Sequence, residues 1–145
     1  MSNRMTLVPK PDYTKLAADL VGKKELFEYA FEIKTDIRDR TVKHHKDYKG
    51  SSFKKYTKAY ARRKGVSRSD VDLMGRKAGS RMMNSMEAYA NDKESVIHFS
   101  DQMKNNLAVY NSETREFFEF SKEDEKEIRK MYEKDLDKAI RKWER

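Results

Sequence analysis

Between Tyr13 and His45, apolar residues return at three- and four-residue steps: Leu16, Leu20, Phe27, Ala30, Phe31, Ile33 and Ile37, set among Lys, Arg, Asp and Glu. This period predicts an amphipathic helix. Asp12 can cap it by accepting from free backbone N–H groups, and Gly22 bends it or splits a short first turn from the main helix, which runs to about residue 45. Its far end is basic, which suits the negative pole of a helix. After a loop at Gly50 to Ser52, Phe53, Tyr56 and Tyr60 repeat the step and predict a short helix ending at Gly65. "SRSDVDLMGRKAGSR" is punctuated by Gly and Ser and reads as loop or extended chain. "RMMNSMEAYANDKESVIHFSD" predicts two strands joined near Asn91 to Lys93. The second is centred on Val96 to Phe99; the first also fits a helix, because Met and Ala favour one. Asp101 as a cap, with Met103, Leu107 and Tyr110 at helical steps, predicts a further short helix.

"TREFFEFSKEDE" places three phenylalanines within four residues of a highly charged chain. Ser121 and Asp124 are a near capping box, and Glu123, Asp124 and Glu125 suit the positive pole of a helix starting at Lys122. Ile128, Met131, Tyr132, Leu136, Ala139, Ile140 and Trp143 form its apolar stripe. "REFFEF" precedes that helix and reads as a short strand, with Phe118 and Phe120 on one face as its core side and Phe117 on the other. The order of elements predicts an α+β domain: a small antiparallel sheet packed by a long N-terminal helix, short helices and a long C-terminal helix.

The chain has 145 residues, the length of one domain spanning 1–145, with residues 1–11 as a flexible N-terminal arm. Charged residues are 40% and hydrophobic ones 37%, so the core is thin and subunit association becomes an expectation. No cysteine is present, which excludes disulfides, thiolate metal sites and thiol catalysis. No run approaches the roughly 20 apolar residues that span a bilayer, and "MSNRMTLVPKPDY" lacks the apolar centre of a signal peptide; the expected place of synthesis is the cytoplasm, with no membrane partner.

The net charge of +8 is concentrated: residues 34–86 carry 16 basic and 5 acidic groups. Within that block Lys54, Lys55, Lys58, Arg62, Arg63 and Lys64, interleaved with Tyr56 and Tyr60, form a candidate basic patch for nucleic acid or an acidic protein. Catalytic chemistry finds little footing. His44 and His45 are adjacent and point about 100° apart on a helix, a poor metal pair. His98 near Asp101 has no nucleophile tied to it by motif. Gly75 and Gly79 lack the ending of a phosphate-binding loop, and "EDEKE" reads as a solvated helix start. Neither an enzyme nor a cofactor or metal site is expected. Met82, Met83 and Met86 fit either core filler or an adaptable contact surface.

Taken in order, several segments resemble the tail-completion and virion-morphogenesis proteins of tailed bacteriophages, which include tail terminators and neck proteins. "VDLMGRKAGSRMMNSM" is similar to that family's Leu, Gly-containing turn and G-x-x-M-x-x-S strand; "VIHFSD" is similar to its next strand; "LAVYN" to its Ala-x-x-His/Asn element; and "REFFEFS" with an acidic helix behind it to its Arg-x-Phe-Leu-Gly-x-Ser signature. The resemblance covers roughly Phe53 to Ile128. It implies a structural virion protein of the tail-neck region, made in the host bacterial cytoplasm. Such proteins form a ring, commonly a hexamer, at the head-proximal end of the tail, meeting the tail tube protein and the head-neck connector, with the passing DNA as a transient contact. On this reading Arg115, Phe117, Met82, Met83 and Met86 are candidate subunit or partner contacts, Phe118 and Phe120 the core of the signature strand, and Ser121 and Asp124 the helix cap. The alternative is a basic nucleic-acid-binding accessory protein using the patch at 54–64.

Overall fold

The computed structural model describes residues 4–7, 21–73 and 82–143. The fold is α+β: strand β1 (Arg4–Leu7), helix α1 (Lys23–Val42), helix α2 (Lys58–Lys64), a 3₁₀ turn (Met82–Ser85), strands β2 (Met86–Ala90) and β3 (Ser95–Phe99), helix α3 (Gln102–Thr114) and helix α4 (Lys122–Trp143). Asp12, Leu16 and Leu20, Gly75 and Gly79, and the side chain of Trp143 lie outside the described residues. No helix among the described residues is long and apolar enough to cross a membrane.

The sheet is antiparallel in the order β1-β3-β2. The β2–β3 hairpin turns where the sequence predicts: the Asn91 side chain accepts from the backbone N–H groups of Lys93 and Glu94. Met86 lies opposite Phe99, Ala88 opposite Ile97 and Ala90 opposite Ser95, so one face of the hairpin is apolar. On the reverse face of β2, Glu87 and Tyr89 are exposed. Strand β1 corrects the expectation of a flexible arm, because residues 4–7 pair with β3 from Arg4 opposite His98 to Leu7 opposite Ser95. Four residues flanked by polar chain carry too short a pattern to register as a strand.

Helix α1 packs across β2 and β3. Gly22 is its N-cap, so the main helix starts directly after it, and the short first turn expected before Gly22 falls outside the described residues; the Glu25 carboxylate accepts from the Gly22 N–H at 3.1 Å. Leu26, Tyr29, Ala30, Ile33 and Ile37 are its buried face. Phe27 and Phe31, predicted on that face, are 42% and 47% exposed. They sit one residue past Leu26 and Ala30, about 100° round the helix, and stack on each other at 6.2 Å instead. Each fully buried aliphatic or aromatic side chain contributes roughly 1.5–3 kcal/mol, so this five-residue face is the main tie between α1 and the sheet.

Both caps read from the C-terminal half are present. The Asp101 carboxylate accepts from the Lys104 N–H at 3.0 Å and starts α3. At α4 the box is reciprocal: Ser121 N–H donates to Asp124 Oδ2 and Asp124 N–H donates to Ser121 Oγ, both at 2.9 Å. Helix α4 lies on α1, with Tyr132 buried and Ile128, Met131 and Leu136 packed on the core. The Tyr29 hydroxyl crosses this seam to donate to Asp135 at 2.7 Å; burial and then that carboxylate hold the phenol well above the ordinary tyrosine range.

"REFFEF" is not a strand. Its carbonyls have other partners: Glu116 accepts from Tyr48 N–H, and Phe117 and Glu119 accept from the Arg40 guanidinium at 3.2 and 2.8 Å. With the backbone satisfied by a side chain, no ladder is needed, and the irregular course lets adjacent phenylalanines face inward together. Phe117 is fully buried and Phe118 nearly so, both against Phe99, while Phe120 packs at the edge of the same cluster.

Candidate functional site

The residues expected to form a surface divide when placed in the fold. Phe117 and the three methionines Met82, Met83 and Met86 lie in the core of their own chain, which corrects their assignment as partner contacts. A thin core needs its largest apolar groups inside, and the 3₁₀ turn aims Met82 and Met83 there. Arg115, expected to face a neighbour, is occupied locally. Its Nε donates to the Lys54 carbonyl at 2.8 Å, and its guanidinium lies 5.2 Å from the centre of the Tyr56 ring.

The basic patch is likewise not one surface. Lys64 pairs with Asp72 and donates to the Tyr56 hydroxyl with its amine almost wholly buried. Burial opposes the charge, but Asp72 and Tyr56 outweigh it and hold the amine above the ordinary lysine range. Tyr56 is buried, lying against Tyr60 at 4.7 Å, Lys64 and Arg115, so its ring is closed to stacking with a base. Lys54, Lys55 and Arg63 line a groove; Lys58 and Arg62 do not. The helix explains this split, because residues 58 and 62 share one side of α2 while 60 and 63 share another.

That groove is a concavity at which side chains from separate segments converge. It has a volume of about 570 Å³ and runs between α3 and the segment from Lys54 to Arg63. One wall is cationic, with Lys54, Lys55 and Arg63, and Arg115 closes the end; among the described residues that line it none is acidic. The other wall is the outer face of α3, with Leu107 and Tyr110, over a floor of Leu73 and Met82. Thr57 positions the cationic wall by capping α2 from its side chain to the Tyr60 N–H at 3.2 Å, and Gly65 ends the helix at φ 77°, a conformation suited to glycine.

Helix α3 forms where Met103, Leu107 and Tyr110 at helical steps predict one. It turns them outward: Met103 is 72% and Tyr110 71% exposed, and Leu107 is exposed between them. The buried side of α3 is carried by Ala108 and by Asn111, whose amide donates to the Leu107 carbonyl at 2.8 Å. The spacing of the stripe is legible in the sequence, but the small residue on the opposite side, which allows close approach to β3, was the signal that the stripe faces out.

Two features elsewhere have their own explanations. His45 Nδ1 is 3.0 Å from the Val71 carbonyl and fixes that loop, a structural use of the histidine. Glu32, Asp36 and Glu127 bring carboxylate oxygens within 4.8 Å of one another across the α1–α4 seam, the spacing a cation would need. Glu127 is pushed up to about 8, first by its hydrogen bond with Asp36 and then by burial, and burial also raises Asp36. Both shifts favour the protonated form of these carboxyls, which lessens the repulsion between them.

No family model matches the chain, and neither a curated protein nor a solved structure matches it.

Proposed function

We propose that the chain is a structural subunit of a bacteriophage tail-neck ring, of the kind formed by the tail-completion proteins that its sequence resembles. The observation that carries this reading is the outward-facing apolar stripe of α3, Met103, Leu107 and Tyr110, beside a groove with a charged wall. Large apolar side chains gathered on one helix face mark a surface that is covered in the working state. Further exposed aromatics lie on other elements, Phe27 and Phe31 on α1 and Tyr89 on β2. A ring subunit needs two unlike patches, because in a heterologous contact one meets the other on the next copy and closure fixes the number, here a hexamer. The tail tube protein and the head-neck connector are the partners above and below. Electron microscopy of the purified chain tests the reading: rings of uniform diameter are expected, and a population of single 17.2 kDa particles at all concentrations overturns it.

A second reading is favoured by the cationic wall of the groove, which a nucleic acid strand would also find attractive. It requires binding by the monomer that weakens steeply with salt and weakens further in Lys54→Ala/Lys55→Ala. The division of the patch between the groove, the far side of α2 and a buried ion pair counts against it.

A further inference from the structure

We propose that the groove receives the outer face and turn of the β2–β3 hairpin from a second copy of this chain. This deepens the ring reading and rests on it, by naming the two surfaces that meet.

Charge and shape select the occupant. The groove presents Lys54, Lys55, Arg63 and Arg115 and, among the described residues, no carboxylate. The hairpin from Glu87 to Glu94 carries Glu87, Asp92 and Glu94 against a single Lys93, and so offers the opposite sign. Glu87 and Tyr89 project from the same face of β2, because residues two apart in a strand share a side. That face is open to solvent: Glu87 is exposed, and Tyr89 is 52% exposed although it lies in the sheet. Among the described strands, β2 is also at the edge of the sheet, beside β3, which leaves this face and the turn beyond it in position to enter a concavity. A tyrosine suits the groove in both of its parts. Its ring covers apolar surface such as Leu107 and Met82, and its hydroxyl reaches polar groups at the rim. The carboxylates then lie against Lys54, Lys55 and Arg63, where opposite charge sets orientation and partner choice.

The contact joins unlike patches. Each subunit offers its hairpin to one neighbour and its groove to the other, which builds a closed ring when the rotation fits. Phosphate groups could answer the cationic wall as well, but the opposite wall is aliphatic and tyrosyl along a helix, and the Tyr56 ring is already covered on its faces. A protein segment with one aromatic anchor fits this arrangement better than a string of bases.

Charge exchange between the two surfaces tests the proposal. One variant, Lys54→Glu/Lys55→Glu, reverses the groove; another, Glu87→Lys/Asp92→Lys, reverses the hairpin. All four positions are exposed, so each variant is expected to keep the wild-type circular dichroism spectrum. By analytical ultracentrifugation, each variant alone should associate at least tenfold more weakly than wild type. An equimolar mixture should regain assembly, because reversed grooves meet reversed hairpins and native grooves meet native hairpins in alternation. Wild-type assembly that survives unchanged in both variants overturns this contact and leaves the ring reading standing. A wild-type chain that stays monomeric overturns both, and binding of single-stranded DNA by that monomer would assign the groove to nucleic acid.

Discussion

Helices α3 and α4 begin alike and end in opposite situations. Each is opened by an acidic residue at the expected place, Asp101 for α3 and the Ser121–Asp124 box for α4, and each carries apolar residues at helical steps. In α4 the stripe from Ile128 to Leu136 packs on α1 and the core, with Tyr132 buried, and is exposed at its far end, Ile140. In α3 it faces solvent, and a small residue, Ala108, takes the inner side. A period of 3.6 therefore tells which residues share a face, while the partner for that face is set by the rest of the fold. Helix α4 is held by ties that only the folded chain makes: Arg40 to Asp124 at 3.0 Å and Tyr29 to Asp135 at 2.7 Å. The bonds of α3 to the rest of the chain include Asn111 toward Met82 and Arg115 toward Lys54, and they leave its apolar edge uncovered.

The contrast can be broken most severely at the coil leading into α4. Phe117→Ala removes a fully buried ring from the cluster with Phe99 and Phe118 and should lower unfolding free energy by about 3–5 kcal/mol in urea denaturation. Next comes Asp124→Ala, which opens the capping box and leaves Arg40, whose side chain is only 14% exposed, without its carboxylate. A loss of about 3 kcal/mol is expected, greater than a surface cap alone would give.

The α1–α4 seam should also respond to pH. Glu127 holds its proton up to about 8 in the folded chain against an ordinary value of 4.5. The native state therefore binds more protons than the unfolded one between those values. The contribution of this pair is fully present below about pH 4.5 and is lost as pH rises to about 8. Glu127→Gln, which keeps a hydrogen-bond donor toward Asp36 without a charge, should flatten that decline in thermal midpoint measured from pH 5 to pH 9. Two smaller effects bracket α3. Asp101→Ala should cost about 1 kcal/mol through loss of the cap to Lys104. Met103→Ser/Tyr110→Ser, on the exposed stripe, should change stability by less than about 0.5 kcal/mol.

Much of the fold was legible because its signals are local. Gly65 as a helix stop, the turn at Asn91, Asp101 and the Ser121–Asp124 box each depend on residues within four positions, and each stands where the sequence puts it. What was hidden depends on distant partners. Arg40 lies 77 residues before the Phe117 carbonyl that it satisfies, and nothing near Phe117 announces that a guanidinium will replace a strand neighbour. Lys64 reads as one of six exposed cations until Asp72 folds against it. The groove was invisible for the same reason: its walls, Lys54 to Arg63 and Leu107 to Arg115, are about fifty residues apart in the chain and meet only through tertiary packing.

The outward stripe of α3 is the centre of the proposed function, in which another subunit covers it. The direct test compares the particle mass of the wild-type chain with that of Leu107→Ser/Tyr110→Ser by light scattering, with circular dichroism showing both folded. The account predicts a multimer for the wild type and a 17.2 kDa monomer for the variant. Equal masses for the two, whether both assembled or both single, would contradict it.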